Sequence, residues 1–415
     1  MIRSGISRAQ PRPLRGAPYH CVLDRPAPRV KEHPLKERII DGFRRIYPAS
    51  PKPRVFRAPG RVNLIGEHTD YNLGFVCPAA LELACFVAAA PNPAGRLRVY
   101  SENREELREW PVSDLPECRP AGNWTDYAIG VAQQLLRANH AIEALDLYVF
   151  STVPTGSGLS SSAALEVSTA LALLGGRALA PLELALLAQR AENEFVGMPC
   201  GIMDPYVSVF GRDLSAVKID CRDLGNIIVP IPESVEILAV NSMVKHELGQ
   251  SAYRERVREC ASAVEAMRSR HPHVTTLRDA DLEMVHELGS GPPALLQRAR
   301  HVVSENLRVN RWVEAAAAGD LANMGALFVE SHRSLQNDYQ VSCPELDFLV
   351  DTALTLPGVW GARMTGGGFG GCTVNLVEPR HVAAFREGIA AAYRDRFGIV
   401  AEIHSCRPSA GAGEI

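Results

Sequence analysis

Four short runs of the chain concentrate residues able to handle a phosphate, a polyol and a proton. The first is Pro154-Thr-Gly-Ser-Gly-Leu-Ser-Ser-Ser-Ala-Ala164. Gly156 and Gly158 remove side chains, so the backbone N–H groups of Ser157, Leu159 and their neighbours can approach a phosphate closely. Ser160, Ser161 and Ser162 fall at a predicted helix start, where unpaired N–H groups and the helix dipole favour an anion. Their hydroxyls add hydrogen bonds or a metal ligand. No Gly-Lys-Ser/Thr closes the run, so it is not a Walker A loop. A Ser-rich helix cap after a flexible turn has the same composition.

The second run, Gly60-Arg-Val-Asn-Leu-Ile-Gly-Glu-His-Thr-Asp-Tyr-Asn-Leu-Gly74, packs Arg61, Glu67, His68, Thr69 and Asp70 into what reads as a glycine-punctuated loop. Carboxylates accept charge-assisted hydrogen bonds from sugar hydroxyls. A solvated polar turn has the same residue types. In the third, Cys200-Gly-Ile-Met-Asp-Pro205, Asp204 sits among apolar residues. A buried carboxylate there needs a cation or hydrogen bonds and is a candidate base; a helix cap with Pro205 at the first helical position is the alternative. The fourth, Gly361-Ala-Arg-Met-Thr-Gly-Gly-Gly-Phe-Gly-Gly-Cys372, reads as a loop with close backbone approach or several φ > 0 turns.

The elements that must position these runs follow from periodicity. Lys36–Tyr47 reads as an amphipathic helix, and Asn123–Asn139 as a helix carrying Trp124 and Tyr127. Strands are predicted at 54–58, 83–90, 97–100 and 145–153, the last leading directly into the phosphate-type loop. Helices are predicted through about Leu174 and over Pro181–Val196. After residue 230 a strand at Val235–Val240 precedes helices at Ser251–Ser269, Leu295–Ala318 and Leu321–Asn337, then the strand Cys372–Val377 and a helix near Val382–Arg396. Strands and helices without strict βαβ alternation argue α+β.

The 415 residues suggest two or three domains. The net charge of −3 offers neither a basic stripe for nucleic acid nor a polybasic run for a membrane surface. Ten cysteines show no C-x-x-C spacing, which argues against a zinc ribbon and fits reduced, buried thiols in a cytoplasmic protein. Residues 1–33, rich in Pro and Arg, read as a disordered extension without the apolar core of a secretory signal.

Taken together, the four runs in this order resemble the galactokinases within the GHMP kinase superfamily, over about residues 34–408. The resemblance implies a two-domain α+β fold with mixed sheets, an N-terminal sugar- and phosphate-binding domain over 34–230, a C-terminal domain over 231–415 and an active site in the cleft between them. It implies transfer of the γ-phosphate of ATP to the C1 hydroxyl of galactose. Glu67, His68, Thr69, Asp70 and Tyr253 would line the sugar site. Asp204 would be the catalytic carboxylate and Arg61 its cationic neighbour. Gly156 to Ser162 would hold the ATP phosphates, with Ser101 near the nucleotide and Trp124 and Tyr127 flanking adenine. Ser162 and Glu192 would serve Mg²⁺. Small molecules would be the partners of a monomer or weak oligomer. Pro205 stands where galactokinases commonly carry Gln. An N-acetylgalactosamine kinase and a non-catalytic sugar and ATP sensor are the rival readings.

Overall fold

The computed structural model describes residues 34–198, 200–245, 249–289 and 292–415. The expected extension over 1–33 lies outside the described residues. In chain order the elements are α1 (Pro34–Ile46), β1 (Arg54–Ile65), β2 (Phe75–Pro91), β3 (Arg96–Ser101), β4 (Glu106–Pro111), α2 (Thr125–Arg137), β5 (Leu145–Ser151), α3 (Ser161–Leu174), α4 (Pro181–Arg190), α5 (Met203–Phe210), β6 (Ser215–Asp220) and β7 (Asn226–Pro230). There follow β8 (Glu236–Lys245), α6 (Gly249–Arg268), α7 (Leu282–His286), α8 (Pro293–Ala318), α9 (Leu321–Ser334), α10 (Pro344–Ala353), β9 (Val359–Thr365), β10 (Gly370–Val377), α11 (Val382–Phe397), β11 (Glu402–Ser405) and β12 (Gly413–Glu414). Helices α4 and α9 each run on into a π-helical turn, at Ala191–Val196 and Leu335–Tyr339.

The architecture is α+β with two sheets. The larger runs β12-β1-β2-β5-β3-β4, with β6 and β7 attached through β2. It is mixed, because β3 pairs β5 in parallel while the other pairs are antiparallel. The smaller sheet is antiparallel, β11-β8-β10-β9. Strand β2 reads as a nearly continuous apolar run because it is covered on both faces. Cys85, Val87 and Ala89 face the main core with α2 and α3, while Ala84, Phe86 and Ala88 pack under Ile39, Ile40 and Phe43 of α1. Ala239, Val374 and Leu376 of the smaller sheet join the same main core as Phe56 and Val87 of the larger.

Two runs read as loops are partly strand. Gly60–Ile65 continues β1, and Gly361–Thr365 belongs to β9. Each holds a glycine because another backbone passes there. A Cβ on Gly60 would sit 2.6 Å from the Leu159 carbonyl oxygen. A Cβ on Gly325 of α9 would lie 1.9 Å from the Trp360 carbonyl oxygen on β9, and one on Gly361 would lie 2.4 Å from Gly325 O. Gly325→Ala forces backbone against backbone, and overpacking typically costs about 1–3 kcal/mol. The expected result is a thermal midpoint lowered by several degrees in a calorimetric scan; an unchanged midpoint would contradict this crossing.

Candidate active site

The phosphate-type loop leaves β5 and enters α3 at Ser161. Gly156 and Gly158 both have φ +78°, which the missing side chains permit. Ser160 is left-handed as well, at φ +64° without a glycine's freedom, a kind of backbone cost that clusters at functional sites. Its hydroxyl does not cap α3; it donates to Asp204 Oδ2 at 2.6 Å. The first amides of α3 therefore have no side-chain cap and remain available to an anion. Ser157 is fully buried, with its hydroxyl on the Pro154 carbonyl at 2.9 Å, and the Leu159 side chain lies in the core. Both residues thus face the loop's interior with their side chains and offer backbone groups.

Arg61 lies within β1, just after a bulge between Pro59 and Arg61. Its Nε and Nη2 donate to the two oxygens of Asp204 at 2.8 and 2.6 Å, and its Nη1 donates to the Gly158 carbonyl. Its own N–H donates to the Leu159 carbonyl at 3.0 Å. The guanidinium thus ties the phosphate-type loop to the carboxylate in the fork geometry arginine favours. Asp204 lies in the first turn of α5, and its side chain is 22% exposed, so one carboxylate sits reachable at the meeting point of β1, α3 and α5.

The polyol-type residues fall into two groups. Glu67 is buried, and its Oε1 accepts from Thr365 Oγ1 at 3.0 Å and from the Gly366 N–H at 2.9 Å. Arg363 stands 3.5 Å from that oxygen. His68 has φ +60°, and its Nδ1 is 2.8 Å from the Tyr71 hydroxyl. Burial, then the neighbouring His301, lower its pKa to about 3, so the ring is neutral. The Tyr253 ring lies 5.5 Å from it, centroid to centroid. Asp70 is raised to about 6, first by burial and then by Asp204, and lies hard against Gly201. Thr69 points the other way, with its hydroxyl on the Gly66 and Phe75 carbonyls at 2.9 and 2.6 Å. It shapes the loop through the backbone.

Glu192 sits in the π-helical turn after α4, hydrogen-bonded to Cys200 and Ser162. Burial raises its carboxyl. Beneath it, Glu166 of α3 is fully buried with neither carboxylate oxygen hydrogen-bonded, and burial followed by Glu192 and Asp204 pushes it well up. Glu166 lies one helical turn beyond Ser162 and reads in sequence as an ordinary helix residue. Tyr127 faces Glu192 and Glu166, whose charges add to burial in raising its hydroxyl to about 12. Trp124 is buried in the main core with its Nε1 on Glu106 at 2.7 Å, and Ser101 ends β3 beside Val149 of β5.

The last run joins the others. Gly366, Gly368, Gly370 and Gly371 all have positive φ. A Cβ on Gly366 would lie 3.6 Å from Gly158 O, one on Gly371 3.6 Å from Ser157 O, and one on Gly367 3.6 Å from the Tyr253 ring. The segment is a hub touching the phosphate-type loop, Glu67 and Tyr253 at once.

This fold and these motifs define a GHMP kinase: residues 126–212 match the GHMP kinases N terminal domain and residues 312–395 the GHMP kinases C terminal. A crystal structure of mevalonate kinase shares the fold at TM-score 0.63 and 17% identity, over 86% of this chain and 99% of that one. Within that class the likeness narrows. Residues 41–91 match the galactokinase galactose-binding signature. A galactokinase of Roseiflexus sp. is 47% identical over 367 residues, 87% of this chain and 93% of that protein. One of Chloroflexus aggregans is 46% identical over 378 residues, 90% and 96% respectively. The crystal structure of Lactococcus lactis galactokinase complexed with galactose superposes at TM-score 0.87 and 33% identity, over 91% of this chain and 99% of that one. The chain belongs to the galactokinase family.

Proposed function

We propose that the chain phosphorylates the C1 hydroxyl of galactose with ATP, and that Asp204 accepts the proton of that hydroxyl. The observation that carries this reading is the Arg61–Asp204–Ser160 constellation, in which one carboxylate is bonded to both the phosphate-type loop and the strand leading to Glu67. Phosphoryl transfer is mainly positioning and charge stabilisation. Three of the five guanidinium N–H groups are engaged on Asp204 and Gly158, which leaves donors for the transferring phosphoryl group. Gly156 to Ser162 cradle the phosphates through backbone N–H groups and the uncapped end of α3. Glu67, His68, Asp70 and Tyr253 hold the sugar, Thr69 supports their loop, and Ser101, Trp124 and Tyr127 lie on the nucleotide side.

Mg²⁺ fits the residues present. Ser162 and Glu192 are mutually hydrogen-bonded oxygen donors, and Glu166 leaves an orphaned carboxylate beneath them. Among the described residues no trio of His, Cys, Asp and Glu could hold a metal. Magnesium does not require one, since it is usually held by one or two carboxylates together with substrate phosphates. When bound, it supplies charge neutralisation on phosphate oxygens.

We further read the two sheets, with the helices packed on each, as the two domains flanking the cleft. The protein is read as a cytoplasmic monomer or weak oligomer without nucleic-acid or membrane partners. No helix among the described residues is long and apolar enough to cross a membrane, and the nine cysteines among them are free thiols.

The test is magnesium-dependent ADP release against galactose, N-acetylgalactosamine, glucose and no sugar. Galactose is expected to lead, because a site built to bond one hydroxyl strongly rejects an epimer that leaves buried polar groups unpaired. Comparable kcat/KM for galactose and glucose would overturn the reading. The pH profile adds a second test. Asp70 is ionised only above about pH 6, since burial and Asp204 both disfavour its charge. The kcat/KM for galactose should therefore fall as pH drops through about 6, while the KM for ATP stays level. Asp70→Asn should erase that inflection; a bend that survives in the variant belongs to another group.

A further inference from the structure

Helix α8 carries Arg298, His301, Glu305 and Arg308 at the spacing of one helical face, and all four are buried. Buried charges and imidazoles destabilise a helix packing face unless each polar atom has a partner. Arg298 finds its partners in Glu259, the Asp338 carbonyl and Gln340, and Arg308 in Glu305, whereas His301 and Glu305 reach the backbone of the loop that follows β1. Glu305 Oε1 accepts from the Gly66 N–H at 3.0 Å and from Ser331 Oγ at 2.7 Å, and its Oε2 accepts from Arg308 Nε at 2.6 Å. His301 Nε2 lies 3.1 Å from the Glu67 carbonyl oxygen, and its Nδ1 lies 2.9 Å from Ser334 Oγ. The next residue after Glu305, Asn306, accepts from the Phe75 N–H through Oδ1 at 2.8 Å.

The bonds to Gly66, Glu67 and Phe75 grip the loop at its two ends and between two left-handed residues. Gly66 has φ +97° and His68 has φ +60°, so the chain enters the left-handed region on both sides of Glu67. A non-glycine residue holds such a conformation only where its surroundings impose it. Burial lowers His301 to about 4, so the ring is neutral. With Nδ1 accepting from the Ser334 hydroxyl, Nε2–H donates to Glu67. Burial acts to raise Glu305, but Arg308, His301, Arg363 and Ser331 outweigh it and bring the carboxyl to about 2, so an anion faces the Gly66 amide.

We propose that His301, Glu305 and Asn306 are positioning residues that hold the 66–75 loop in its sugar-binding shape, so that a helix from the second half of the chain sets galactose affinity without touching the sugar. The proposal rests on the reading of Glu67, His68 and Asp70 as the sugar site. Its test uses the full chain with His301→Phe, His301→Gln, Glu305→Gln and Asp70→Asn. Readouts are KM for galactose and for ATP, kcat, thermal midpoint, and galactose binding by calorimetry without ATP. His301→Phe leaves the Glu67 carbonyl buried and unpaired, and is expected to raise galactose KM and Kd roughly tenfold, with ATP KM within about twofold. His301→Gln places an amide N–H near the former Nε2 and should recover most of that loss. Glu305→Gln keeps an acceptor for Gly66 but loses the anion, and should fall between them.

Galactose and ATP KM rising together, a lowered midpoint with unchanged galactose Kd, or no rescue by Gln would each overturn the proposal. If Asp70→Asn weakens galactose while both His301 variants bind it normally, this inference alone fails. If Asp70→Asn also binds normally, the sugar-site reading fails with it.

Discussion

Asp204→Asn is expected to remove turnover while leaving ATP binding nearly intact. Asparagine keeps the shape of the side chain but takes up no proton, and loss of a positioned base costs on the order of 10²–10⁴-fold in rate. The electrostatics add to the loss. Arg61 directs Nε and Nη2 at the two carboxylate oxygens, so the amide NH₂ of Asn would face an N–H donor. The Arg61 side chain is 8% exposed, and an unpaired buried guanidinium is strongly destabilising. The variant should therefore also unfold at lower temperature. The decisive readings are single-turnover phosphorylation of galactose and ATP binding by calorimetry. Turnover within tenfold of the unaltered protein would remove Asp204 from the role of base.

Gly201→Ala carries the second large effect, by a different route. A Cβ built at this position stands 1.7 Å from Asp70 Oδ2 and 2.3 Å from its Cγ. Gly201 does not occupy the left-handed region, so alanine's backbone is acceptable there. The conflict is with the end of one short side chain, which must swing away. Fold stability should change little, whereas a displacement of about 1 Å at a substrate-positioning group can cost about 10²-fold. The expected outcome is a fall of that order in kcat/KM for galactose, with ATP KM and the thermal midpoint nearly unchanged. Normal galactose kinetics would show that Asp70 does not need its present position. The contrast with Gly325 is instructive: there the obstacle is a carbonyl of the main chain, and the expected loss is in stability.

What could be read from the amino acids alone divides by how each residue announces itself. Gly156, Gly158 and the three serines are visible because turns with positive φ and helix starts require particular residue types. Asp204 stands out as a charge among apolar neighbours. The helices of the second half show through their apolar spacing. Strand β9 is hidden because its residues defy the pattern: it contains Gly361 beneath α9 and the fully buried Arg363. Strand β12 is two residues long, too short for any periodicity. The polar stripe of α8 is concealed by the opposite effect. Residues 298, 301, 305 and 308 form a polar helical face, which by itself reads as a face turned to water. The partners of Glu305 and His301, at Gly66 and Glu67, lie 239 and 234 positions away in the chain, beyond the reach of any local pattern. Glu166 is missed for a related reason, since burial is invisible when the neighbouring residues are those of an ordinary helix.

The strand that carries Arg61 has one further dependence. Its outer edge pairs with β12, Phe56 opposite Glu414 and Arg57 opposite Gly413. The Arg57 guanidinium also bonds Ser409 and the Ala410 carbonyl, and Arg54 forms a two-pronged ion pair with Glu414, 360 positions later. During synthesis on the ribosome, β1 emerges early, but the 55–57 stretch of this edge gains its strand partner only when residues 413–415 have been made. A polypeptide interrupted shortly before them would leave the amides and carbonyls of that stretch uncovered, the template from which strand-to-strand aggregation starts. Premature termination late in the message should therefore yield aggregation-prone fragments rather than a slightly shortened enzyme.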